Sequence, residues 1–138
     1  MAKGNQAPTI QEESLIRTKD MIQLFDREVC NAVSERISDD VECAPFRKFG
    51  LYVRIDSTGA PTTLQVKVEF MDRWSEHWYM HKQGLFAALF WEDGDTASGI
   101  NEAFVGDVLG RAMRVTLTDV GSDSSKYFTV SIAVDFWN

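Results

Sequence analysis

The chain has 138 residues, of which 44% are hydrophobic, and it carries a formal net charge of −7. This length fits one domain of the usual size, and nine Phe and four Trp are enough to fill its core, which excludes an intrinsically disordered chain. The negative charge repels phosphate backbones and anionic lipid headgroups, so neither nucleic acid nor a membrane is an expected partner.

The two cysteines and the N-terminal residues indicate the cellular compartment in which the protein is expected to fold. The two cysteines, Cys30 and Cys43, do not have a zinc-type spacing, and residues 1–9 lack the apolar stretch of a secretion signal. No run approaches the roughly 20 apolar residues of a membrane helix. We therefore expect synthesis in a reducing cytoplasm with two free, buried thiols, although the spacing alone does not decide between free thiols and a disulfide.

The N-terminal third is predicted to contain an arm and a helix. Residues 1–9 are polar and are expected to form an extended arm, with a single domain over residues 10–138. Thr9 and Glu12 have the spacing of a capping box. Apolar residues then recur at helical intervals, at Leu15, Ile22, Phe25, Val29 and Val33. This pattern favours a short helical segment, which is followed near Val41 and Cys43 by a possible edge strand.

From Phe49 onward the apolar residues recur at every second position, which is the period of a half-buried strand. Strands are predicted at Phe49–Ile55, Leu64–Phe70, Trp78–Lys82, Leu85–Trp91, Arg111–Asp119 and Tyr127–Phe136, with a long loop over residues 92–110 that contains one brief strand at Glu102–Val105. Short strands separated by turn residues are typical of a mainly β fold, here an antiparallel sandwich or jelly roll.

The segment Leu85–Trp91 is apolar on both faces of the predicted strand, so it requires cover on two sides. The N-terminal helix of the same chain or a neighbouring subunit would supply that cover. The surrounding region is rich in aromatic residues, and together with the arm it provides the candidates for a protein interface: Lys3, Asn5, Pro8, Trp74, His77, Trp78, Phe90 and Trp91.

Metal sites are not expected. His77 and His81 are four residues apart, but in an extended segment that offset separates them by roughly 13 Å, which is too far for one ion. Asp93, Asp95 and Glu102 do not follow the calcium-loop pattern and are better explained as turn residues.

Motifs for catalysis are not expected either. The sequence contains no G-x-S-x-G elbow, no phosphate-binding loop and no G-x-G-x-x-G segment after a strand. A pair of catalytic carboxylates chosen from 21 acidic residues would be an unspecific assignment. We therefore expect neither an enzyme nor a cofactor.

The segments at residues 61–70, 78–79, 110–115 and 127–131 resemble small jelly-roll virion accessory proteins of tailed bacteriophages, over a likeness that spans about residues 48–136. Such proteins commonly carry an Asp-Gly-Gly turn before the tryptophan. This chain instead has Asp72-Arg73-Trp74-Ser75-Glu76-His77, so the hairpin tip is not assigned by the resemblance.

The resemblance implies a capsid decoration or cement protein, located in the virion and assembled in the host cytoplasm. It also implies binding to the major capsid protein lattice and a homo-oligomer, with a trimer favoured. Two alternatives remain open: a neck or tail structural protein, and a carbohydrate-binding sandwich in which Trp74, Trp78 or Trp91 stack on sugar rings.

Overall fold

The computed structural model describes residues 18–96 and 99–138, and the side chains from residue 20 onward. The predicted arm over residues 1–9, with its interface candidates Lys3, Asn5 and Pro8, lies outside the described residues. No helix in the described part of the chain is long and apolar enough to cross a membrane.

The described residues form ten strands and two short helices. The strands are β1 (Thr18–Cys30), β2 (Glu35–Ile37), β3 (Val41–Glu42), β4 (Lys48–Thr58), β5 (Thr63–Met71), β6 (Trp78–Met80), β7 (Phe90–Glu92), β8 (Ile100–Asp107), β9 (Ala112–Val120) and β10 (Tyr127–Trp137). A 3₁₀ helix covers Gly84–Ala88, and one α-helix, α1, covers Asp93–Thr96.

The strands are antiparallel and form the two layers of a sandwich. The first sheet has the order β1-β10-β4-β8. The second sheet has the order β2-β9-β5-β6, in which β3 also pairs with β9 and β7 also pairs with β5. The predicted antiparallel sandwich is confirmed.

The connections between the sheets are those of a jelly roll. Because β2 and β3 share the partner β9, and β6 and β7 share the partner β5, each pair acts as one interrupted strand. Counting each pair once reduces the ten strands to eight positions, in the orders 1-8-3-6 and 2-7-4-5. Every connection except that between positions 4 and 5 crosses to the other sheet, which is the double Greek-key arrangement.

The core lies between the sheets and is built from the period-two pattern. The predicted inward residues of β4, β5, β9 and β10 are buried: Phe49, Leu51, Val53, Ile55, Leu64, Val66, Val68, Phe70, Met113, Val115, Leu117, Phe128, Val130, Ile132, Val134 and Phe136. Cys30 and Cys43 are also buried, as expected, and no disulfide joins them.

The predicted helix before Val33 is wrong in its described part, because residues 18–30 form β1, the longest strand. The error has a physical cause. The register between β1 and β10 shifts three times, between Lys19 and Ile22, between Gln23 and Phe25, and between Phe25 and Glu28. Each irregularity interrupts the alternation that identifies a strand. Of the apolar series, Ile22 and Phe25 pack in the core, whereas Val29 and Val33 are 40% and 66% exposed, so the helical spacing does not reflect burial.

Two predictions about the middle of the chain are also wrong. The segment predicted as a strand at Leu85–Trp91 is instead the 3₁₀ helix followed by β7, and Leu85 is 69% exposed, so the segment is not covered on both sides. The region predicted as a long loop with a brief strand at Glu102–Val105 contains α1 and a longer strand, β8, whose eight residues include that segment. The inward face of β8 includes Glu102 and Gly106, which weakens the apolar alternation on which the strand prediction depends.

Candidate interaction surface

The turn between β5 and β6, residues 72–77, is called the hairpin tip below. The carboxylate of Asp72 accepts hydrogen bonds from the backbone N–H and the hydroxyl of Ser75, both at 2.6 Å. The Ser75 hydroxyl also lies 3.0 Å from Nδ1 of His77. The hydrogen bond from the Ser75 hydroxyl is the largest cause that holds the pKa of Asp72 below its ordinary value. These contacts close a short polar turn on itself.

Two arginines tie the hairpin tip to the body of the sandwich. Arg111 donates from Nε to the carbonyl oxygen of Asp72 at 3.0 Å, and Arg73 donates to the carbonyl oxygen of Ala44 at 3.4 Å. Trp74 lies at the centre of this braced turn with 93% of its surface exposed. The tip therefore presents a large, exposed aromatic side chain on a turn that hydrogen bonds hold in place.

A second aromatic residue lies beside the tip on the outer face of the second sheet. The guanidinium carbon of Arg114 is 4.3 Å from the ring centroid of Trp78, within cation–π distance. Arg114 also donates to Glu69 at 3.1 Å, and the hydroxyl of Thr116 donates to the same carboxylate oxygen at 2.6 Å. The network fixes one face of the half-buried Trp78 ring.

The structure separates the remaining aromatic candidates. Phe90 is 49% exposed on the same outer face, but it pairs with Gln65, whereas Trp78 pairs with Met71. Six residues along β5 correspond to roughly 20 Å, so the two rings do not form one cluster. Trp91, also predicted as an interface residue, is only 6% exposed and belongs to the core. The structure thus brings together Trp74, His77 and Trp78 and leaves Phe90 apart.

The two histidines have different environments. His77 is exposed in the hairpin tip. His81 is 2% exposed and lies among the rings of Phe49, Phe70 and Phe86, with centroid distances of 5.9, 6.0 and 4.7 Å. Burial lowers the pKa of His81, against the raising effect of the nearby Asp107.

The acidic residues considered for calcium have local roles. Asp95 accepts the backbone N–H of Glu92 at 3.0 Å, and Glu102 accepts the indole N–H of Trp91 at 3.2 Å. Among the residues that the structure describes, no group of three or more His, Cys, Asp or Glu side chains is placed to hold a metal ion.

Sequence reasoning missed the residues that support the surface and several exposed apolar ones. Arg73, Arg111 and Arg114 have no signal in their local pattern, because each reaches a partner from a different strand or loop. Tyr79 and Leu85 are exposed, at 56% and 69%. Leu85 follows Gly84, whose positive φ of 58° lies in the region that favours glycine. This glycine was the available signal that the chain turns here and does not continue as a regular strand.

Comparison with solved structures places this fold among β-sandwiches. One match is a chain from the structure of infectious bursal disease virus Gx strain, with a TM-score of 0.58 and 9% identity over 87% of this chain. Another is tripeptidyl peptidase 2, with a TM-score of 0.52 and 8% identity over 84% of this chain. This chain covers only 32% and 10% of the lengths of those two chains.

No family model and no curated protein matches the sequence. At such low identity the structural matches concern the fold and not the activity. The chain therefore has the two-sheet antiparallel fold that also occurs in part of a chain of that virus.

Proposed function

We propose that this chain is a virion structural protein, a capsid decoration or cement protein that binds the lattice of a major capsid protein and stabilises a phage head. The observation that carries the proposal is Trp74, 93% exposed on a hairpin tip that hydrogen bonds hold rigid. The jelly-roll fold, which occurs in viral capsid domains, and the fold likeness to a chain of a virus structure support it.

The stabilising mechanism follows from mass action. A protein that binds the assembled lattice more tightly than free capsid subunits shifts the equilibrium towards the assembled shell. An oligomeric decoration protein adds several such contacts at once, so that modest individual affinities combine through multivalency. The chain acts in this scheme by binding and not by catalysis, and it needs no cofactor. If the protein instead lies in the neck or tail, it would bind through the same surface, and only the protein that it contacts would differ.

The first experiment identifies the partner. The native full-length protein is isolated under mild conditions, and the proteins that co-purify with it are identified by mass spectrometry. The expected result is a major capsid protein. A neck or tail protein supports the positional variant, and a preparation in which no virion protein is enriched contradicts the proposal.

The second experiment tests the hairpin tip with purified particles that contain the identified partner. Trp74→Ala is expected to weaken binding roughly 30-fold, because a hot-spot residue contributes at least about 2 kcal/mol. Leu85→Ala is the matched control, since it removes a comparably exposed apolar side chain elsewhere. Deletion of residues 1–9 should also weaken binding if the arm reaches a neighbour. Equal affinities of Trp74→Ala and the wild type would contradict the role of the tip.

A carbohydrate-binding module is a second candidate, favoured by the outer face of the first sheet. Two depressions of about 520 and 270 Å³ meet there at Tyr52 and Arg54. Tyr52 donates its hydroxyl hydrogen to Asp135 at 3.2 Å, and Gly50 leaves room for both groups because a Cβ at that position would lie 2.5 Å from Asp135. An aromatic ring flanked by polar groups is suited to a sugar ring. This site replaces the predicted tryptophan platform, of which Trp91 is buried.

The carbohydrate candidate is tested by titrating the protein with a panel of oligosaccharides while intrinsic fluorescence is recorded. Saturable binding that is lost in Tyr52→Ala and kept in Trp74→Ala would favour this candidate over the virion role. The absence of any response across the panel would remove it.

A further inference from the structure

The edge strands of the two sheets differ in how well they are protected against pairing with another chain. On the first sheet, β1 is irregular, with three register shifts against β10 and a positive φ of 51° at Arg27. On the second sheet, the edges are interrupted into β2 and β3 on one side and β6 and β7 on the other, and each of these strands has at most three residues. Bulges and short segments are the usual protection of an edge.

The strand β8 at the other edge of the first sheet has none of these features. Its eight residues pair with β4 in one continuous register from Lys48↔Asp107 to Ile55↔Ile100. The strand contains no proline and no lysine, and Val105 is 65% exposed. An uninterrupted edge of this length is suited to accept a further strand by backbone hydrogen bonds.

The hydrogen-bonding groups that β8 offers can be identified from its pairing with β4. The N–H of Val108 donates to the carbonyl oxygen of Arg47 at 2.8 Å, so even-numbered residues direct their backbone groups towards β4. The N–H and C=O groups of the odd-numbered residues therefore point to the open edge, which is the edge that no other strand among the described residues occupies. These residues are Asn101, Ala103, Val105 and Asp107.

The sequence of β8 is compatible with pairing to a second copy of itself. A two-fold axis perpendicular to the sheet makes the two strands antiparallel and keeps the outer faces of both sheets on the same side. With Ala103 on the axis, the cross-strand pairs are Ile100 with Gly106, Asn101 with Val105, and Glu102 with Phe104. This register places no two like charges directly opposite each other, and the Glu102 carboxylate is already held by the indole of Trp91.

A cavity next to β8 supports the same register. It has a volume of about 380 Å³ and lies between the 3₁₀ helix and residues 103–107, with Phe86, Phe104 and Gly106 in its lining. Gly106 has no side chain, and a Cβ there would lie 2.7 Å from the rings of Phe49 and Phe86. Opposite this glycine the register places Ile100 of the second copy, on the inward face beside the cavity. The aliphatic side chain of the second copy would therefore lie at the rim of the cavity, beside the Phe49 and Phe86 rings that pack over this glycine.

We propose that two copies of the chain associate through β8, with Ala103 on a two-fold axis, to form one continuous eight-stranded sheet from the two first sheets. The occupant of the open edge is therefore the same strand of a second copy. The inference concerns the free protein in solution and does not depend on its role in a virion. It also specifies a dimer, in contrast to the trimer that the sequence resemblance favours.

The register is tested by disulfide trapping in the full-length protein. In the proposed dimer the two Ala103 Cα atoms are a hydrogen-bonded pair at about 5.5 Å, within the range of a disulfide, so Ala103→Cys should give a covalent dimer on mild oxidation. Val105→Cys is the control on the same strand and face, because the two copies of residue 105 would be roughly 13 Å apart. Cys30 and Cys43 are buried and add little background.

The expected result is cross-linking of Ala103→Cys at least tenfold faster than that of Val105→Cys. Equal rates, or faster cross-linking of Val105→Cys, overturn the proposed register. The mass of the wild type, measured by light scattering over a concentration series, should approach twice 15.6 kDa. A mass that stays at the monomer value, or a trimer, overturns the proposal.

A charge-exchange experiment tests the same axis without cysteines. Ala103→Asp and Ala103→Lys each place like charges opposite each other, so each variant alone should remain monomeric, while an equimolar mixture should form a heterodimer. Met21→Asp on β1, an exposed position at the opposite edge of the same sheet, is the control and should dimerise like the wild type. If neither Ala103 variant changes the mass distribution, β8 is not the interface.

Discussion

The indole nitrogen of Trp91 donates a hydrogen bond to Oε1 of Glu102 at 3.2 Å and thereby joins β7 of the second sheet to β8 of the first. The ring of Trp91 also contacts Phe104, with the centroids 6.2 Å apart. The side chain of Trp91 thus bridges the two sheets at the edge that β7 and β8 form.

Replacing this tryptophan should therefore destabilise the domain. Trp91→Phe loses the hydrogen bond and part of the packed ring, and the free energy of unfolding is expected to fall by about 2 kcal/mol. Glu102→Gln keeps an acceptor for the indole N–H and should cost less than about 1 kcal/mol. Urea denaturation followed by circular dichroism measures both variants. Equal stability of Trp91→Phe and the wild type would show that the ring does not contribute as described.

Gly110 has no room for a side chain. A Cβ at this position would collide with the backbone carbonyl oxygen of Met71, which is held in place because it accepts the N–H of Arg111 at 3.0 Å. Gly110→Ala is expected to lower the free energy of unfolding by about 2 kcal/mol. Gly94→Ala in α1 is the control, since a Cβ there meets nothing within 4 Å. Thermal unfolding should show a clear loss for the first variant and no loss for the second.

The pH dependence of stability should report on Asp119, a buried carboxylate on β9. Burial is the largest cause that raises the pKa of Asp119, while the Ser122 hydroxyl and Arg36 oppose the shift. Because the folded state holds this proton more tightly than the unfolded chain, the contribution of Asp119 to stability is complete below its unfolded pKa of about 3.9 and is lost as the pH rises through the folded pKa.

Asp119→Asn removes this charge while it keeps the shape of the side chain. The variant should therefore gain stability relative to the wild type as the pH rises above the unfolded pKa of about 3.9, and the difference between them should be smallest below that pKa. Comparing the two proteins at each pH cancels the contribution of His81, whose pKa burial lowers. A difference that stays constant from about pH 3 to about pH 8 would contradict the raised pKa.

The thiol of Cys30 should be unreactive in the folded protein. Burial is the main cause that raises its pKa to about 11, so the reactive thiolate is scarce at neutral pH, and its side chain is fully buried. A thiol reagent at pH 8 is expected to label Cys30 and Cys43 only after denaturant is added. Rapid labelling of either residue in the native protein would show that the core opens easily around that residue.

The sequence by itself determined the fold class and most of the core. In β4, β5, β9 and β10 the alternation of apolar and polar residues is uninterrupted, and each predicted inward residue there is buried. This pattern is reliable because a sheet with one buried face imposes a period of two on every strand that it contains. The tryptophan-bearing turn before β6 was also identified, although not the contacts that hold it.

Only the tertiary structure decided the rest, because the decisive contacts join residues that are distant along the chain. The register shifts between β1 and β10 interrupt the alternation that identifies a strand. Only the segment Glu102–Val105 of β8 was predicted, because Glu102 finds its partner in Trp91 and Gly106 leaves room for the Phe49 ring. Likewise, neighbouring strands and not the local pattern placed Trp91 and His81 in the core and left Trp74 exposed. A local pattern specifies which face of a strand is apolar, whereas the pairing of the sheets determines which aromatic side chains remain available for binding.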